Sequence, residues 1–270
     1  MKKILVLIPA FNAEKTISPL IEQISANRIK KEDILVIDDG SLDSTYEIVK
    51  KCGVKIIQHQ NNKGKGEALK TGFGYTLREG YSGVITLDAD LQHDPKFIPE
   101  FIEKTESGVD TGRAGCPTYE GRGQVGVPQS GTNPDKRVPV GGAPSPAERV
   151  FQRSQSDILI GTRDIRLKTM PFPRWLTNNL TSIIVSILGD TKVRDSQSGY
   201  RYISVEVLKT VRLRTKKYEL ESELLIKAGR RKFKIDPVPI STIYQGSKSF
   251  INPLVDTGRF IKLMWKSLFW

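Results

Sequence analysis

Asp88-Ala89-Asp90 sets two carboxylates two residues apart. At a chain turn that spacing brings hard anionic oxygens near one point. Such oxygens suit Mg²⁺ or Mn²⁺, ions that often bridge to substrate phosphates. Gln92 adds a neutral oxygen two residues on. A second acidic pair, Asp38-Asp39, precedes Gly40-Ser41. Carboxylates there can accept hydrogen bonds from a base or a ribose, and Gly40 permits close backbone approach. Asn61-Asn62-Lys63-Gly64-Lys65-Gly66 is a basic, glycine-containing loop whose N–H groups and lysines suit a phosphate or nucleobase. It lacks the Walker spacing and the Lys-Ser/Thr pair, so it is not a P-loop. Each motif also has a plainer reading, as a solvated turn or a capped strand-to-helix connection.

Those residues need a scaffold, and the surrounding pattern supplies one. Ile4 to Ile8, Ile34 to Ile37, Val54 to Ile57 and Gly83 to Leu87 read as short buried strands. Helical segments separate them, near Thr16 to Ser25, Thr45 to Lys51 and Gly66 to Arg78, with Ser41 or Asp43 as the cap of the second. This alternation predicts an α/β fold, a Rossmann-like and mostly parallel sheet flanked by helices. In such sheets ligands sit at the carboxyl ends of the strands. Asn12, Asp38-Asp39 and Asp88/Asp90 all follow strands. After a break come a strand at Asp157 to Gly161 and a helix at Trp175 to Leu188. Leu176, Leu180, Ile183, Ile184 and Ile187 give that helix a stripe expected to face the core. Arg201 to Val205, Tyr218 to Ala228 and Phe233 to Thr242 complete the chain as strand, helix and strand.

The break is residues 111–156, which hold eight Gly and six Pro. That share, with no apolar periodicity, marks an insertion rather than a structural element. The chain has 270 residues, 38% hydrophobic and 27% charged, which excludes a wholly disordered protein. Its net charge of +12 points to an anionic partner: nucleic acid, a phosphorylated substrate or an acidic membrane surface. Two cysteines exclude a disulfide framework and fit a reducing, cytoplasmic compartment. With two histidines, a four-ligand Cys/His zinc site is not expected. Pro9 ends the first apolar run too early for a signal peptide, and no stretch reaches the roughly 18 apolar residues of a spanning helix. The apolar and cationic segment Phe260 to Trp270 suits a membrane interface and equally suits a helix packed on the core.

Taken together, the motifs resemble family 2 glycosyltransferases of the GT-A fold, in the branch of dolichol- and polyprenol-phosphate sugar synthases. The resemblance rests on Ile8-Pro9-Ala10-Phe11-Asn12, Val36 to Ser41, Asn62 to Gly66, Asp88 to Pro95, Gly161-Thr162-Arg163 and Asp195 to Arg201. These occur in family order, and residues 111–156 match nothing in the pattern. The resemblance implies a nucleotide-binding half at 1–110, the insertion at 111–156, an acceptor-side half at 157–249 and an amphipathic tail at 250–270. It implies that Pro9, Ala10, Asn12, Glu14 and Asp39 line a nucleotide pocket, with Lys65 nearby. Glu14 departs from the usual pattern, because Ala13 separates it from Asn12. Asp88 would bridge nucleotide and metal, and Asp90 and Gln92 would complete a site for Mn²⁺ or Mg²⁺. Arg163 and Arg201 would face donor and acceptor phosphates.

The activity so implied is inverting transfer of a hexose from GDP-mannose or UDP-glucose to a polyprenyl or dolichyl phosphate. The enzyme would be peripheral at the inner membrane face. A phosphate acceptor is already ionised near pH 7 and needs no general base. A hydroxyl acceptor on a saccharide or protein would need one, and Asp195 is then the candidate, against its reading as a structural carboxylate holding Arg201 or a loop. A basic nucleic-acid-binding module is the rival from another class. No helix-turn-helix, zinc-finger or RNP pattern supports it.

Overall fold

The computed structural model describes residues 2–107, 156–163, 172–241, 262–265 and 267. The insertion, apart from Ser156, and most of the tail lie outside the described residues. The strands are β1 (Ile4–Ala10), β2 (Ile34–Asp38), β3 (Lys55–Gln58), β4 (Gly83–Thr86), β5 (Ile158–Arg163), β6 (Arg201–Ser204) and β7 (Ile235–Ile240). The helices are α1 (Ile17–Ala26), α2 (Thr45–Cys52), α3 (Lys65–Arg78), α4 (Ile98–Ser107), α5 (Phe172–Gly189), α6 (Val205–Thr210) and α7 (Glu219–Arg230). The sheet runs β3-β2-β1-β4-β6-β5-β7. β6 pairs antiparallel with both β4 and β5, while the other pairings are parallel.

β1, β2 and β4 are apolar along nearly their whole length because both sheet faces are covered. Ile4, Val6 and Ile8 point into one core layer with α1 and α4, where Leu20, Ile24 and Phe101 meet them. Leu5 and Leu7 point into the other, with Leu69 and Phe73 of α3 and Leu224 of α7. Burying each such side chain stabilises by about 1.5–3 kcal/mol. β7 is an edge strand, so Pro237 and Pro239 cost it no ladder bond. Ser44 holds the cap position of α2 and makes no side-chain cap bond; Asp43, one residue earlier, accepts from Thr45 N at 3.0 Å. Ser41 is engaged with Asp38 instead.

The stripe on α5 differs from expectation. Leu180, Ile183 and Ile187 are exposed, and among the described side chains of α5 Val185 is the buried apolar one; Leu176 lies outside them. The inward face carries Asn178 and Ser182, both buried. Ser182 Oγ accepts from Ser196 N at 3.0 Å, so the helix turns its polar side toward the 195–198 turn. Apolar spacing alone could not reveal this, because it reads a period without saying what lies opposite.

The loop before α7 is pinned by a buried carboxylate. Glu223 accepts from Arg214 N at 3.0 Å, Thr215 N at 2.8 Å, Thr215 Oγ1 at 2.7 Å and Lys227 Nζ at 2.5 Å. Burial opposes its charge, but these donors prevail and hold its pKa below the ordinary 4.5. A depressed folded-state pKa contributes stability that is present above the unfolded value and lost as pH falls through the folded one. Glu223→Gln should therefore flatten the acid limb of stability below pH 4.5. Thermal melts of both proteins from pH 7 to 3 check this; parallel melting curves would refute it.

Candidate active site

Asp88 follows β4, whose neighbour β1 ends beside it. Leu87 N donates to Leu7 O at 3.0 Å, so the chain stays registered with β1 up to the residue before Asp88. The Asp88 carboxylate lies against Gly199: a Cβ there would fall 2.4 Å from Oδ2. Only glycine leaves room for it. Thr86 Oγ1 donates to Gly199 O at 2.7 Å and fixes the approach.

Lys65, the first residue of α3, reaches Asp88 Oδ1 at 2.6 Å and Glu221 Oε1 at 3.1 Å. Gly66 lets the start of that helix press on the 212–217 loop: a Cβ there would lie 2.5 Å from the Lys216 carbonyl carbon. Burial works against the lysine's charge, but the two carboxylates outweigh it and raise its pKa well above 10.5. Burial likewise opposes the charge of Asp88, yet Lys65, His93 and Arg201 hold its pKa below 3.8. Asp90 moves the other way, raised by burial and by the negative charge of Asp88. It accepts from Gln92 N at 3.0 Å, and Leu91 between them has a left-handed φ of 61°. The two carboxylates are thus driven apart, and among the described residues no salt bridge involves Asp90.

Hard oxygens of this kind fit Mg²⁺ or Mn²⁺. Among the described residues no group of three or more His, Cys, Asp and Glu side chains assembles. The pair fits an ion whose remaining positions are filled by substrate phosphate and water, the usual habit of Mg²⁺.

Other expected residues have different tasks. Arg201 is 1% exposed. Its Nε donates to Ser198 O at 2.7 Å, Nη1 to Glu221 O at 3.0 Å and Nη2 to Ser196 O at 2.7 Å. A guanidinium so enclosed cannot face a phosphate; it fastens the 195–199 turn to α7. Asp195 is wholly buried and grips Arg163, with Nε–Oδ2 at 2.7 Å and Nη2–Oδ1 at 2.9 Å. Burial alone would favour its neutral form, but Arg163 keeps it ionised. A carboxylate without exposed oxygens cannot take a proton from a substrate hydroxyl, so the general-base expectation fails. The partner it holds is Arg163, not Arg201.

Asp39 is 3% exposed. Its Oδ1 meets His59 Nδ1 at 2.7 Å and Lys63 N at 3.0 Å, and its Oδ2 meets Gly64 N at 2.7 Å. It shapes the basic loop rather than presenting an edge to a base. Asn12 Oδ1 accepts from Leu42 N at 2.9 Å, and Glu14 Oε2 from Ser44 N at 3.3 Å. Both side chains stitch the loop after β1 to the loop after β2. Pro9 and Ala10 close β1, where Ala10 O accepts from Asp39 N at 2.8 Å.

Sequence reasoning missed Glu221, His59 and the burial of His93. Glu221 reads in sequence as an ordinary acid in a first helical turn. His93 is 5% exposed, and burial lowers its pKa to about 4, so it is neutral at pH 7. Its ring centroid lies 5.6 Å from that of Tyr200, and Phe101 stacks on Tyr200 at 4.6 Å.

A relative from Methanococcus voltae, "UDP-N-acetylglucosamine--dolichyl-phosphate N-acetylglucosaminyltransferase", is 31% identical over 90% of this chain and 86% of its own. A family model described as "Glycosyl transferase family 2" matches residues 5–133. The chain belongs to glycosyl transferase family 2. The family match ends inside the Gly/Pro-rich segment. A Salmonella paratyphi A protein, an undecaprenyl-phosphate 4-deoxy-4-formamido-L-arabinose transferase, is 36% identical over 41% of this chain and 36% of its own. Among solved structures, glucosyl-3-phosphoglycerate synthase from Mycobacterium tuberculosis, in complex with Mn²⁺, UDP and phosphoglyceric acid, superposes with a TM-score of 0.63. That likeness covers 99% of this chain and 77% of the other at 20% identity, and shows the shared GT-A fold.

The placement of Arg201 has a measurable consequence. Arg201→Lys removes the fork that serves three buried carbonyls, at a cost of about 3 kcal/mol, since each stranded acceptor costs roughly 1–3. In a family 2 domain of this size that lowers Tm by roughly 6–12 °C. Calorimetry checks it; an unchanged Tm with lost activity would restore the phosphate-facing role.

Proposed function

We propose that this glycosyltransferase moves a sugar, with inversion, from a nucleotide sugar to a polyprenyl phosphate at a membrane surface, using Mn²⁺ or Mg²⁺. The observation that carries the reading is the Asp88/Asp90 pair at the end of β4, with Lys65 beside it. The donor is a UDP-sugar or GDP-mannose; the names of the Methanococcus relative and of the Mycobacterium structure favour uridine over guanine. The names of both the Methanococcus and Salmonella relatives favour a lipid phosphate acceptor.

Asp88 and Asp90 would hold the divalent ion, which when bound neutralises the diphosphate as it leaves. Lys65 offers a second positive charge beside the same point. The glycine-containing loop, whose Lys63 and Gly64 N–H groups are held by Asp39, leads into α3 and so sets Lys65 beside the donor's diphosphate. Arg163, held in place by its pair with Asp195, would orient the acceptor phosphate. The sequestered Asp195 favours an acceptor that arrives ionised, because a saccharide hydroxyl would still need a base. Among the described residues no helix is long and apolar enough to cross a membrane. Leu180, Ile183 and Ile187 of α5 are exposed at 54%, 57% and 73%, and Trp265 at 66%. Leu263 and Ser267 face inward, and Arg230 Nη1 donates to Ser267 O. The described residues 262–265 and 267 thus pack on the body through Leu263 and Ser267 and expose Trp265.

Two measurements test this reading. Asp90→Ala should leave folding intact, because it removes a charge that repels Asp88. It should cut sugar transfer to a polyprenyl phosphate to under a tenth of wild type, more than about 1.4 kcal/mol of barrier. A folded variant retaining more than that refutes the cation role. Flotation with anionic liposomes should weaken with salt and fall severalfold in the triple variant Ile183→Ser, Ile187→Ser, Trp265→Ser. Equal flotation of both proteins, or none by wild type at low salt, rejects this face as the membrane surface.

A further inference from the structure

Lys65 sits where a second ligand would be expected to compete. Its Nζ is 2.6 Å from Asp88 Oδ1, and its side chain is only 17% exposed. Glu221 Oε1 anchors the same ammonium at 3.1 Å from the first turn of α7, with its own side chain 12% exposed. The wall holding Glu221 is rigid: Arg201 Nη1 bonds the Glu221 backbone carbonyl, and Glu223 clamps the loop before the helix. One oxygen of Asp88 is thus already satisfied by a cation that the chain itself supplies. Around the point, Lys65 lies between the carboxylates of Asp88 and Glu221, and Asp90 is close enough to feel the charge of Asp88.

We propose that Lys65 is a stand-in cation, holding Asp88 until the nucleoside diphosphate draws the ammonium onto its phosphates and leaves Asp88 to the divalent ion. The inference rests on the reading that Asp88 and Asp90 hold that ion. Lys65 and Glu221 are then positioning residues, and Glu221 is the post on which the lysine pivots. An ammonium on a four-carbon stem suits this task, because it is a compact charge with rotatable donors. Charge balance supplies the reason. Without nucleotide, the ion must displace a close, desolvated ammonium from Asp88. With nucleotide, the displaced ammonium gains a phosphate partner, so ion and nucleotide each improve the other's binding. Such coupling is reciprocal by necessity.

The test measures Mn²⁺ binding rather than activity. Full-length wild type, Lys65→Met and Asp90→Ala are titrated with Mn²⁺ and followed by the spin resonance signal of the free ion. Each titration is run without nucleotide, with UDP and with GDP, and the nucleotide that tightens wild-type Mn²⁺ binding serves as the reference. Lys65→Met is expected to bind Mn²⁺ alone about tenfold more tightly than wild type, and no more tightly once that nucleotide is present. Lys65→Gln, which keeps a hydrogen-bonding head without charge, replaces it if the methionine variant does not fold, with the same expectation. Glu221→Gln leaves the ammonium wholly to Asp88 and should weaken Mn²⁺ binding without nucleotide. Equal tightening with and without nucleotide would mean a general field effect and overturn the exchange, as would no tightening at all. Mn²⁺ binding unchanged in Asp90→Ala would instead misplace the ion itself and remove the ground of both readings.

Discussion

The site depends on one close contact, the carboxylate of Asp88 laid against the backbone of Gly199. No other residue fits there, and the contact dictates where the 195–199 turn must run. β6 delivers that turn. As the antiparallel strand between β4 and β5, it starts where β4 ends, so the residues preceding it arrive beside Asp88. A parallel strand in that slot would deliver its last residues there instead, and the Asp195 to Arg201 turn would lie at the opposite edge. Gly161 N donating to Tyr200 O at 2.8 Å and Thr86 Oγ1 donating to Gly199 O lock the turn from both sides.

Around that contact several buried polar and charged groups are paired. Arg163 pairs with Asp195 and Lys227 with Glu223, His59 Nδ1 hydrogen-bonds Asp39, and Arg201 spends its donors on carbonyls. Buried pairs of this type contribute little net stability, because desolvation offsets most of the attraction. Their effect is geometric: each fixes a turn or loop that has no regular secondary structure. Asp90 stands apart, its ionised form disfavoured by burial and by its neighbour. Burial and the charge of Asp88 therefore set Asp90 apart from the carboxylates that brace the turns.

α5 joins this polar interior to the outer surface. Asn178 and Ser182 turn inward, and Ser182 holds Ser196. Leu180, Ile183 and Ile187 turn outward. One helix therefore shapes the wall behind Asp195 and displays Leu180, Ile183 and Ile187 on its outer face.

Much of the architecture was legible in the chain. β-branched runs at Ile4 to Ile8, Ile34 to Ile37 and Gly83 to Leu87 specify doubly covered strands, since no half-exposed strand tolerates such continuity. The acidic and glycine motifs after them mark the ligand edge, because parallel topology places those ends together. Roles within the site were not legible. Arg201 and Asp39 carry the residue types of ligand contacts, yet burial turned both into braces. Glu221 and His59 carry no distinctive spacing, since their partners Lys65 and Asp39 lie far away in the chain or across a loop. Sequence by itself determined which segments become strands and where carboxylates gather, because those follow from local periodicity. Which charges stay open to a substrate was decided only by tertiary structure, because exposure and pairing depend on what packs opposite each side chain.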